Sequence, residues 1–113
     1  MFAALAEDLG HAVAMSFLAT FTSLLSPRIG RIDAAFKQKD REDLITALLS
    51  LQASATMAGA AQLQKTTTRA LMADPIEDQP PEPLIEQLTS EAQDFTRAFR
   101  SFEKDPGFPR TDH

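Results

Sequence analysis

Apolar residues in this chain return every three or four positions over long stretches. Met15, Leu18, Phe21, Leu25, Ile29, Ile32 and Phe36 form one such series, and Ile85, Leu88, Ala92, Phe95, Phe99 and Phe102 form another. That step places each series on one stripe of a helix, and no segment shows the alternation of a half-buried strand. The pattern predicts an all-α fold: an up-down four-helix bundle with short connections and a short or kinked N-terminal helix. A chain of 113 residues can bury one hydrophobic core without a metal or disulfide. Residues 1–103 are read as a single domain and residues 104–113, KDPGFPRTDH, as a flexible tail.

The punctuation of the helices follows from local chemistry. Ser26-Pro27 interrupts the first series, but the apolar phase continues across it, so a kink or a very tight joint is expected. Asp40 is a good N-cap, with Glu42 and Asp43 in the first turn, where the helix dipole favours negative charge. The next helix should run from Arg41 to Ala58 and stop near Gly59, with a short helix following from Ala60 to Met72. Residues 74–83, DPIEDQPPEP, hold four prolines and read as a loop.

Composition removes several classes of function. The absence of cysteine excludes disulfides, a thiol nucleophile and thiolate metal sites. His11 and His113 lie near opposite ends, neither in a metal-ligand spacing, so no metal or cofactor is expected. A net charge of −5 with no extended basic run argues against nucleic-acid binding. The start, MFAALAEDLG, lacks the basic region of a secretory signal. The uncharged stretch between His11 and Arg28 is shorter than the run of about 20 apolar residues that spans a bilayer, and it contains Ser16, Thr20, Thr22, Ser23 and Ser26. A core helix, no membrane association and a cytoplasmic location are therefore expected.

The helix over 41–58 carries the most information. At about 100° per residue, Leu44, Leu48, Leu51, Ala55 and Ala58 fall close to one line and face the core. Leu49 lies about 140° away, with Ile45, Ala53 and Thr56 on the same outer side. Ile45 and Leu49, one turn apart beside small Ala53, make a candidate contact patch. Burying those two side chains against a partner would supply about 3–6 kcal/mol before association costs. The other reading is that the first helix or the Pro-rich loop covers them.

These residues resemble the histidine phosphotransfer (HPt) family, whose signature is roughly H-x-L-K-G-x-S/A-x-x-x-G-A-x-x-L on the central helix of a four-helix bundle. Aligned on Gly59, this chain has Leu51, Ala53 in the glycine slot, Ala55, Gly59, Ala60 and Leu63. The histidine slot holds Leu49 and the lysine slot holds Gln52. The preceding segment, FLATFTSLLSPRIGRIDAAFKQKDREDLITAL, is similar to the family's approach to the site, and the resemblance extends over residues 5–102. It implies a fold in which the family's histidine exchanges a phosphoryl group with receiver-domain aspartates. The lysine balances charge there, and the small residue one turn on makes room for the receiver.

The departures remove the chemistry. Leucine has no lone pair to attack phosphorus, Ser50 is about 100° around the helix and unactivated, and Gln52 is neutral. No catalytic residue is expected. The resemblance implies instead a non-catalytic member that docks a response-regulator receiver or a histidine kinase through Ile45, Leu49, Gln52, Ala53, Thr56 and Gly59. Other candidates read more simply. His11 starts a helix, and in the run QKTTTRA, residues 64–70, Thr67 turns inward from a polar face. Glu82, Glu86, Glu91 and Asp94 scatter around the last helix as a solvated face, with no acid–base pair. The alternative function is a helix-bundle interaction or dimerisation protein unrelated to phosphorelay.

Overall fold

The computed structural model describes residues 10–104, and within them the fold is all-α. Four α-helices follow one another: α1 (His11–Gln38), α2 (Arg41–Ala58), α3 (Ala61–Leu71) and α4 (Pro81–Lys104), with a 3-10 turn at Ile76–Asp78 between the last two. Two-residue joints separate α1 from α2 and α2 from α3, so each helix folds straight back to pack on the one before it. The expected leading helix falls in residues 1–9, and the tail over 104–113 falls, apart from Lys104 closing α4, outside the described residues.

Both tight joints use the same device. At the first, Lys39 adopts a left-handed conformation (φ 56°), and Asp40 N–H donates to the Ala35 carbonyl at 3.0 Å. At the second, Gly59 takes that conformation (φ 74°), and Ala60 N–H donates to the Ala55 carbonyl at 2.8 Å. These reverse bonds satisfy carbonyls that a helix end would otherwise leave bare. The Asp40 carboxylate accepts from Asp43 N–H at 3.0 Å and so caps α2. Across this joint Arg31 pairs with Asp43 at 2.6 Å, and that hydrogen bond and charge hold the guanidinium above its ordinary pKa.

Of the two arrangements expected at Pro27 the single helix is the one found, while the Pro-rich loop is corrected. Helix α1 is continuous through Pro27 rather than two segments. Proline removes the bond to the Ser23 carbonyl, but Ser23 and Pro27 are both exposed, so water can take the freed group. The loop predicted over 74–83 is shorter, because α4 begins at Pro81 and takes Pro81 and Pro83 into its first turn. Amides in that turn have no helical partner to lose. The remaining connection is anchored by buried Ile76 and by Gln79, whose side-chain amide donates to the Ala70 and Ile76 carbonyls at 2.9 Å each.

The core is one cluster drawn from every helix. Leu18, Ile32, Leu44, Leu48, Leu51, Leu63 and Leu88 are essentially sealed from solvent. Phe21 of α1 meets Phe95 of α4 edge to face at 5.3 Å between centroids, an arrangement aromatic rings favour. On α4 the buried stripe starts at Leu84, with Ile85 and Phe102 only partly covered. Because α1 runs on past Arg28, it is long and apolar enough by length and composition alone to cross a membrane. Only 28% of its most apolar window is buried, which corrects the length argument made from the sequence. The core helix of a bundle meets the same criterion, and α1 contributes eight buried residues, from Ala14 to Phe36.

Candidate functional site

Helix α2 is held from three sides of its circumference and open on the fourth. Leu44, Ala47, Leu48, Leu51, Ala55 and Ala58 point into the core. Arg28 of α1 donates to the Ser54 hydroxyl on one flank. On the other flank, Gln52 Nε2 donates to Thr68 Oγ1 of α3 at 2.7 Å, and Thr68 Oγ1 donates in turn to the Gln64 carbonyl at 2.8 Å. Between these flanks lies the outward strip.

The structure distributes the six expected contact residues unevenly. Leu49 is 48% exposed; a lone exposed leucine is ordinary on a folded surface, and it counts here only with the neighbours that share its strip. Ala53 and Thr56 are exposed beside it, the Thr56 hydroxyl donating back to the Gln52 carbonyl at 2.8 Å. Ile45 is only partly exposed and packs against the core cluster, so it forms the edge of the patch rather than its centre. Gln52 is half-buried with its amide nitrogen committed to Thr68; the neutral side chain in this slot braces α2 against α3. Gly59 is half-buried and serves the turn that ends α2.

One residue was missed. Met57 is 65% exposed and extends the row Leu49, Ala53, Met57 along the i, i+4 ridge of the helix surface. On the wheel it lies about 80° from Leu49, which hides it when Leu49 is taken as the centre. The i+4 spacing would have found it. Among the described residues, neither the first helix nor the Pro-rich connection buries this ridge.

The ridge itself carries no charge, although Arg28 of α1 stands on its Ser54 flank. From Leu44 to Gln64 the sequence has no ionisable side chain, so the ridge presents two large apolar groups, small Ala53 and a hydroxyl without a nearby charge on its own helix. No group of three or more His, Cys, Asp or Glu residues capable of holding a metal occurs among the described residues. Nothing on the ridge is a nucleophile paired with a base, the arrangement that covalent catalysis requires. What the ridge can do is bury apolar area against another surface.

The carboxylates of α4 depart from expectation at one position. Glu91 is not on a solvated face: it is half-buried, and its Oε2 accepts from Thr66 Oγ1 at 2.8 Å and from Gln87 Nε2 at 3.1 Å. Its other oxygen, Oε1, is buried with no hydrogen-bond partner. Thr66 is almost fully buried, and Thr67, also buried, donates to the Leu63 and Gln64 carbonyls. These groups join α3 to α4 and lie apart from the α2 ridge. His11 is exposed in the first turn of α1.

Comparison with protein families, with curated proteins and with solved structures finds no match to this chain.

Proposed function

We propose that this chain is an HPt-like signalling protein of a two-component pathway that docks a response-regulator receiver domain or a histidine kinase without transferring phosphate. The observation that carries the reading is the exposure of Leu49, together with Met57, on a helical ridge that has no ionisable side chain of its own. A leucine left outside on an otherwise well-packed helix, next to an alanine that clears space, suits apolar contact with a partner. The HPt resemblance puts this same residue in the slot of the phosphorylated histidine. Docking can survive that exchange, because the contact around the slot is apolar; phosphoryl transfer cannot, because no nucleophile replaces the imidazole.

The test uses the purified chain and a panel of receiver domains and kinase dimerisation domains from the same organism, with binding followed by calorimetry. Wild type should bind at least one of them, and Leu49→Glu should bind it about a hundredfold or more weakly, as a buried unpaired charge demands. Circular dichroism of the variant should be unchanged, since position 49 is on the surface. Incubation with a phosphorylated receiver should add no mass of a phosphoryl group to the chain. Binding that ignores Leu49→Glu, or a phosphorylated chain in the mass spectrum, would sink the proposal.

A further inference from the structure

A second face of the molecule carries a pattern that the α2 ridge does not explain. Between α1 and α4 runs an open groove of about 630 Å³. Its floor is apolar, with Leu25, Ile29 and Ala92, and its walls are low because Ser26, Gly30, Thr89 and Thr96 are small. A methyl group placed on Gly30 would meet nothing within 4 Å. Another helix can therefore come close to this pair.

The charges beside the groove are ordered. Along α4 come Glu82 and Glu86, then Thr89 and Gln93, then Arg97 and Arg100, all of them exposed. At about 100° per residue these six fall within an arc of about 80°, so they form one face, acidic at its start, neutral in the middle and basic at its end. The order is antisymmetric about position 91. Glu82 and Arg100 are equidistant from it, as are Thr89 and Gln93, and Glu86 matches Arg97 to within one residue.

That is the pattern a two-fold axis requires, because in an isologous interface each residue meets its mirror position on the other copy. We propose that the protein self-associates through this face as a two-fold dimer, the two α4 helices packing antiparallel across position 91. Glu82 of each copy then faces Arg100 of the other, Glu86 faces Arg97, and Thr89 faces Gln93. The low walls around Ser26 and Gly30 admit the second helix, and the antiparallel dipoles of the two α4 helices oppose. Arg97, which pairs with Asp94 at 3.1 Å in the single chain, exchanges one exposed carboxylate for another. Asp33 at the groove's acidic end, bound to Lys37 at 3.1 Å, adds a further negative group near the incoming Arg100. No residue of the α2 ridge takes part.

Sedimentation equilibrium of the full chain over a concentration series tests the proposal. Wild type should show a monomer–dimer equilibrium. Glu82→Arg alone and Arg100→Glu alone should each weaken it by about tenfold or more, since each sets like charges opposite one another twice. An equimolar mixture of the two variants should recover dimer mass, because both cross-contacts again join opposite charges. That recovery would itself show both variants to be folded. The double variant Glu82→Arg/Arg100→Glu should recover as a homodimer. A wild type that stays monomeric overturns the proposal, as does a dimer indifferent to these reversals, a mixture that fails to recover, or a dimer abolished by Leu49→Glu instead.

Discussion

Asp40, Lys39 and Thr66 show how much of the stability rests on single polar or strained positions. The Asp40 carboxylate satisfies an amide of the first turn of α2, and Asp40→Ala should cost about 1 kcal/mol in a urea titration. Lys39 sits one residue earlier with φ 56°, a conformation that costs a side-chain-bearing residue about 1–2 kcal/mol and glycine nothing. Lys39→Gly should therefore raise the midpoint of the same titration, corresponding to a gain of about 0.5–1 kcal/mol once glycine's extra chain entropy is counted. Thr66 holds the half-buried Glu91, and Thr66→Val should cost about 1–3 kcal/mol by leaving that carboxylate short of a donor. Asp40 was legible as a cap because a carboxylate before two acidic residues has few other roles. Glu91 was not, since nothing in the spacing of four carboxylates on one helix says which of them a hydroxyl on another helix will meet.

At the scale of elements, spacing decided most boundaries and tertiary context decided the rest. Helix α2 spans Arg41–Ala58 as its cap and its terminal glycine predict. Pro27 left two arrangements open and the pair Pro81 and Pro83 misled, because proline's effect depends on where the lost donor falls: on the solvent side of α1 and in the opening turn of α4 it costs little. The outward strip of α2 was visible on the wheel, and Leu49, Ala53 and Thr56 are where it placed them. Ile45 and Gln52 differ because α3 and the core reach further around the helix than a wheel can show. The brace between α2 and α3 is measurable. Gln52→Leu should lose about 1 kcal/mol, and a double-mutant cycle with Thr68→Ala should show coupling between the two positions, which independent surface residues would lack.

For the molecule as a whole, one core links all four helices, so damage to it is felt everywhere. Leu48 is fully buried, and Leu48→Ala should destabilise the bundle by about 2–5 kcal/mol, lowering the transition seen by circular dichroism without splitting it. The all-α bundle was readable because two long apolar series leave no other way to bury themselves. The surfaces were readable only in part: the ridge on α2 needed to be seen uncovered, and the groove between α1 and α4 needed to be seen open. These surfaces also differ in kind. The stretch from Leu44 to Gln64 has no ionisable group, so a complex formed on its ridge has few counterions to shed and little Coulomb energy to screen. Its association constant should hold nearly steady from dilute buffer to molar salt, while the binding enthalpy falls with rising temperature, the negative heat-capacity change of buried apolar area. Temperature, and not ionic strength, is then the variable that tunes recognition on α2.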